Sequence, residues 1–221
     1  MLSVVAILIT IAAYALTRQF SNRLKYVHPI VASSVLIGVV WYLVSGDWEA
    51  YAAGGKWISV WLGPATVALA VPLAKQLQEL RKLWAGILLG VGVGCGMSLA
   101  IVWAILGFFG SDRVVLLSML TKSVTTPISV ELAAAIGGTP SLAALFTAGT
   151  GLIGASMARS LLKTIGVKDP WAVGIAVGTT AHAIGTAGFT RDEQQQVAAS
   201  TLAMILAGVI TSLCLIPFRL G

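Results

Sequence analysis

Eight apolar stretches, each close to the length a helix needs to cross a bilayer, constrain this chain more than any motif within it; they run over 2 to 17, 29 to 46, 57 to 74, 83 to 109, 114 to 136, 140 to 162, 171 to 189 and 196 to 218. About 18 to 20 apolar residues in helical form span the ~30 Å hydrocarbon core. No ten-residue segments of alternating polarity, the signature of a membrane barrel, accompany them. With 10% charged and 57% hydrophobic residues, against about 25% charged in soluble domains, the chain reads as an all-α polytopic transmembrane helical bundle. Residues 1–221 are expected to form a single integral membrane domain.

The net charge of +6 does not point to nucleic acid, because the basic residues sit in short clusters between the apolar runs and act as topology signals. Cys95 and Cys214 both fall in apolar segments and read as small buried hydrophobes, so neither a disulfide nor a metal site is expected. "MLSVVAILITIAAYA" lacks the positive start of a secretory signal, and Arg18, Arg23 and Lys25 follow it, so it reads as a retained first span. Trp41, Trp48, Trp57 and Trp61 bracket "SGDWEAYAAGGK" as an interfacial loop. Thr139 before Pro140, Asp169 before Pro170, and Thr190 with Glu193 mark helix starts.

The loop charges set the topology. Clusters at Arg18/Arg23/Lys25, at Lys75/Arg81/Lys82 and at Arg159/Lys163/Lys168 all belong on the cytoplasmic side, which eight full crossings do not allow. About seven crossings do, with the N-terminus outside and the C-terminus cytoplasmic. The segment to remove from the count is 114 to 136, because "MLTKSVTTPISVEL" (119–132) puts a lysine, a proline and five hydroxyls in an apolar setting. Non-helical backbone at membrane depth is tolerated only where protein or a water-filled cavity covers it, so a re-entrant or broken segment is expected there. "VPLAKQL" (71–77) echoes "TPISVEL" (126–132), the kind of internal repeat that repeat-built transporters carry.

Two constellations carry candidate chemistry. Lys122 within the membrane would cost about 2.5 to 3.5 kcal/mol unless it faces a pathway or a partner; snorkelling to the interface is the plain alternative. Thr121, Ser123, Thr125, Thr126 and Ser129 either satisfy backbone groups freed by Pro127 or, with exposed N–H groups beside a cation, build an anion site. In "GIAVGTTAHAIGTAG" (174–188), Gly174, Gly178, Ala181, Gly185 and Gly188 form a small-residue stripe suited to close helix contact, beside Thr179, Thr180, His182 and Thr186. This is expected to be a second broken or small-residue helix, with His182 and Glu131 as proton-coupling candidates. The glycine runs "GILLGVGVGCG" and "GTGLIG" read as helix packing, since no strand or acidic ribose ligand goes with them.

"GPATVALAVPLAKQ" (63–76), "TKSVTTPISVEL" (121–132) and "GTTAHAIGTAG" (178–188), in that order, resemble the LrgB/CidB family of bacterial membrane proteins and the second half of the plastidial glycolate/glycerate translocator. A threonine, Thr121, stands before the lysine where that family usually has proline. The resemblance implies one of two functions. One is a secondary transporter or facilitator of small monocarboxylates (glycolate, glycerate, pyruvate) across the bacterial inner membrane. The other is a holin- or antiholin-like channel regulating murein hydrolase export and cell lysis. It also implies a small LrgA/CidA-type membrane partner and a homo-oligomer.

In the transport reading, Lys122 and the N–H groups near Thr125, Thr126 and Pro127 hold a small carboxylate anion. Ser123, Thr179, Thr180, Gly185 and Thr186 surround its remaining oxygens, and His182 couples a proton. No cofactor or metal is called for. An intramembrane hydrolase using Ser123, His182 and Glu131 has the residue types but no nucleophile elbow or triad spacing, so the chain is not expected to be an enzyme.

Overall fold

The computed structural model describes residues 2–20, 29–61, 64, 67, 68, 70–190 and 192–219; the expected motif "GPATVALAVPLAKQ" lies partly outside them. Every described element is helical, with no strand among the described residues. Four helices are long and apolar enough to cross a membrane, Leu2–Phe20, Trp84–Phe108, Pro140–Thr164 and Gln194–Leu215, and shorter apolar helices run over Ala32–Val44 and Thr126–Ile136. The chain divides into two compact units, 1–69 and 70–221.

The first unit holds α1 (Leu2–Phe20), α2 (Pro29–Val44) and α3 (Trp48–Ser59). The stretch expected as an interfacial loop is largely α3, because the Asp47 carboxylate caps it by accepting from Glu49 N and Ala50 N at 3.1 and 3.0 Å. This also divides the expected span 57 to 74: α3 ends at Ser59 and the next helix that can be given bounds begins at Ala70. The fully buried Trp41 donates Nε1–H to Asp47 O at 2.9 Å and packs on Tyr51, ring centroids 5.3 Å apart. Gly54 lets α3 touch α1, since a Cβ there would stand 2.6 Å from Ser3 O.

The second unit opens with two short helices, α4 (Ala70–Lys75) and α5 (Leu77–Lys82). There follow α6 (Trp84–Phe108), α7 (Arg113–Leu120), α8 (Thr126–Ile136), α9 (Pro140–Thr164), α10 (Pro170–Thr186) and α11 (Gln194–Leu215), then a 3₁₀ turn Ile216–Arg219. Along α6, Ile87, Val91, Cys95 and Val102 recur at helical spacing and are buried, while Leu89, Val93 and Trp103 on other faces are more than 60% exposed. Large apolar side chains pointing away from the core suit a lipid surround. Helix α11 is central: half of its most apolar window is buried, against 11 to 22% for the other three long helices. Cys214, expected to be buried, is exposed, because it lies on the outward face of α11 next to the buried Leu215.

Helix starts follow the sequence unevenly. Asp169 caps α10 by accepting from Ala172 N at 2.8 Å, whereas Thr139 makes no side-chain cap and Pro140 alone sets the first turn of α9. Helix α11 begins at Gln194 rather than at Thr190. The Glu193 carboxylate does reach back to Thr190 N at 2.7 Å, as a capping box requires, but it also accepts from Arg159 Nη2 at 2.8 Å and lies outside the helix.

Candidate functional site

Both expected irregular segments are present. The first interrupts helix over Thr121–Thr125, between α7 and α8. It is re-entrant: Thr139 N donates to Ser118 Oγ at 2.8 Å, and a Cβ on Gly138 would stand 3.0 Å from Ser118 N and Oγ. Twenty residues of straight helix would separate such positions by about 30 Å, so α8 brings the chain back alongside the second half of α7. Thr125, extended at φ −66°, ψ 147°, is the N-cap of α8, and Pro127 occupies its first turn. No side chain caps this end, so its first-turn N–H groups are not taken by a capping residue.

The second break lies inside α10 at His182, whose φ of 41° and ψ of −136° depart from helix; it is the one non-glycine residue at positive φ among the described residues. Such backbone costs about 1 to 3 kcal/mol and persists only when the surroundings over-determine it. They do so here. His182 is 1% exposed, and its Nε2 lies 3.0 Å from Thr147 O, which makes Nε2 the protonated nitrogen. The ring lies against Gly151, where a Cβ would be 2.7 Å from Cε1, and Ala181 lies against Gly154, where a Cβ would be 2.5 Å from the Ala181 Cβ. The run read as helix packing, "GTGLIG", is the notch that seats the break. The carbonyl of His182 accepts from Thr186 Oγ1 at 2.8 Å, and that hydroxyl also pairs with Ser200 Oγ at 2.6 Å.

The first part of the small-residue stripe packs as its spacing predicts, while Ala181 turns to α9. A Cβ on Gly174 would stand 2.6 Å from Gln196 O, and one on Gly178 would run into the Ser200 backbone, so α10 lies backbone to backbone on α11. Gly185 is closed in by Ala181 and Val177.

Lys122 is half-buried, and its ammonium donates to Ser98 Oγ of α6 at 3.2 Å. Ser98 in turn pairs with Ser123 at 2.9 Å. The ammonium therefore bonds the Ser98 hydroxyl and not the imidazole of His182. The two breaks are joined by a different route: Thr121 Oγ1 pairs with Ser129 Oγ at 2.7 Å, Thr147 Oγ1 donates to Ser129 Oγ at 2.7 Å, and Thr147 O holds His182. Among the described residues no buried side-chain nitrogen or oxygen lacks a partner.

Other candidates divide by position. Thr179 is buried with its hydroxyl on Ile175 O, its methyl facing Gly94, whereas Thr180 is exposed and bonds Ala176 O. Thr125 and Thr126 are half-buried at the α8 start. Glu131 is exposed and lines an outer hollow with Pro127, Ile128, Leu132 and Ser212. Ser98, Thr147 and Ser200 belong to no motif read from the sequence, and Gly151 reads there only as helix packing. Ser98 is the single hydroxyl residue in the apolar run of α6, a signal that points to it, whereas Thr147 is one of several in α9 and carries no such signal.

The LrgB-like family model matches residues 10–220. The chain belongs to the LrgB family. This LrgB-family chain is 35% identical over 213 residues to the uncharacterized protein YxaC of Bacillus subtilis (strain 168), covering 96% of the chain and 93% of that protein. It is 35% identical over 179 residues to the antiholin-like proteins LrgB of Bacillus mycoides (strain KBAB4) and Bacillus cereus (strain B4264), covering 80% of the chain and 78% of each relative. No solved structure matches it. The family and the apolar helices together make it a membrane-embedded protein.

Proposed function

We propose that this LrgB-family protein moves small monocarboxylate anions, of the 2-hydroxy or 2-oxo acid type, across the bacterial inner membrane at the junction of its two helix breaks. The observation that carries this reading is Lys122, a half-buried cation bonded to the neutral hydroxyl of Ser98 in the described structure, in the segment that leads to a helix start no side chain caps. A carboxylate is the complement of both. Ser123 and Thr125 line the same turn. His182, whose backbone strain is held by a single carbonyl contact and a glycine notch, is the element whose protonation couples to the move. Glu131 is the second proton-coupling candidate.

The test is uptake of labelled glycolate, glycerate and pyruvate into proteoliposomes with and without a pH gradient. Lys122→Ala and His182→Ala each abolish uptake while the protein still inserts. Normal uptake by both variants removes the assigned site.

The relatives' printed name supports a second reading, an antiholin-like membrane protein acting in control of murein hydrolase export and lysis, and the name weighs more for this role than for monocarboxylate transport. In it the chain assembles as a homo-oligomer or with a small LrgA/CidA-type membrane protein. Release of a trapped dye much larger than glycolate separates the two: a pore passes it, a carrier retains it.

A further inference from the structure

A largely apolar hollow of the first unit has a cation at one end. It measures about 700 Å³ and lies along one face of α1, with Ile11, Tyr14 and Ala15 on its wall, Ile58 of α3 opposite, and Arg18 and Gln19 at its end. Residues 11, 14, 15, 18 and 19 repeat at three and four, so they share one helix face. From Ile11 to Gln19 that face extends roughly 12 Å at 1.5 Å per residue, the reach of a good part of an acyl chain.

We infer that this hollow is a binding site for one anionic phospholipid, with an acyl chain laid on Ile11, Ala15 and Ile58 and its phosphate on Arg18 and Gln19. Three features select that occupant. The wall is apolar and open to the side, which suits a hydrocarbon chain. The guanidinium at its end is the side chain that best matches a phosphate, with five donors in a planar fork. Arg23 and Lys25 follow in the sequence, and the positive-inside reading puts that end at the cytoplasmic leaflet, whose lipids are anionic. Tyr14 lies one turn from Arg18, at the level where amphipathic rings gather at the interface. The site is independent of the transport reading.

The experiment is native mass spectrometry of the full chain released from micelles containing phosphatidylglycerol or phosphatidylcholine in equal amounts. The expected result is retention of one phosphatidylglycerol in preference to phosphatidylcholine. Arg18→Gln reduces that preference about fivefold, the equivalent of one surface cation. Ala15→Trp fills the hollow without touching the charge, on an exposed position that tolerates bulk, and lowers retention of both lipids. Equal retention of the two lipids by the unaltered protein, or an unchanged preference in monodisperse Arg18→Gln, overturns the proposal. Displacement by millimolar glycerol phosphate also overturns it, since the site would then read a free head group. So does a cross-linked dimer formed by Ile11→Cys, which would put a second copy in the hollow.

Discussion

The Nε2 of His182 lies 3.0 Å from the carbonyl oxygen of Thr147, and the hydroxyl of that same threonine donates to Ser129 at 2.7 Å. One residue of α9 thus holds the strained point of α10 with its backbone and the re-entrant helix α8 with its side chain. A displacement of either break must be accommodated at Thr147 or break one of these bonds.

Ser129→Ala tests that link. The fully buried Ser129 pairs with Thr121 and accepts from Thr147. Its loss leaves the Thr147 hydroxyl without that acceptor, while Thr121 keeps a bond to Ser118 O at 2.9 Å. Burying an unsatisfied donor costs about 1 to 3 kcal/mol. Thermal unfolding in detergent should show that loss for Ser129→Ala and a smaller one for Ser123→Ala, whose partner Ser98 keeps the Lys122 ammonium.

The glycines divide into two kinds that the sequence does not separate. A Cβ on Gly178 would run into the Ser200 backbone, and backbone cannot swing aside as a side chain can; at Gly92 a Cβ would meet nothing within 4 Å. Gly178→Ala should cost upward of about 1 to 3 kcal/mol through overpacking. Gly92→Ala should be neutral or stabilise by up to about 1 kcal/mol through helix propensity. Equal melting temperatures for the two variants would contradict the backbone contact of α10 with α11.

The Arg159 clamp predicts a dependence on pH. Arg159 Nη2 donates to Gly188 O at 3.0 Å and to Glu193 Oε2 at 2.8 Å, with the guanidinium 4.8 Å above the Phe189 ring. Partial burial alone would raise the Glu193 carboxyl, but the Thr190 and Arg159 hydrogen bonds outweigh it and hold it below the usual glutamate range. A lowered folded value gives stability that is present above the unfolded glutamate value, about 4.3, and is lost as pH falls through the folded one. With Arg159 47% exposed, solvent screening limits the ion pair to under about 1 kcal/mol. Amide exchange of residues 187–190 should quicken below about pH 4, and Glu193→Gln should exchange at the faster rate at neutral pH with little further change on acidification.

The two breaks were legible in sequence to different depths. Pro127 beside Lys122 and a hydroxyl cluster, with a charge count one crossing too high, marked the re-entrant segment directly. At His182 no proline signals the break, and the glycine spacing announced only close packing. What converts packing into a kink is the notch at Gly151 and Gly154, which depends on the register between α9 and α10, and single-helix periodicity carries no information about register. The same gap hides the Thr121–Ser129–Thr147–His182 bonds that join the two breaks, since they depend on how α8, α9 and α10 are set against one another. Tertiary capping was equally hidden in the first unit, where Asp47 turns an expected loop into α3.

The backbone at His182 yields the sharpest test, because it reverses an ordinary preference. In a regular helix alanine is more stable than glycine by about 1 kcal/mol. At φ 41°, ψ −136° any side chain carries a strain of about 1 to 3 kcal/mol that glycine escapes. His182→Ala and His182→Gly both lose the ring, its bond to Thr147 and its contact with Gly151, so their difference isolates the main chain. The glycine variant should unfold at the higher temperature by a margin equivalent to about 1 kcal/mol or more, while both lack uptake. A more stable alanine variant would mean that this segment straightens into continuous helix once the ring is removed, and that the ring and its seat hold the break open.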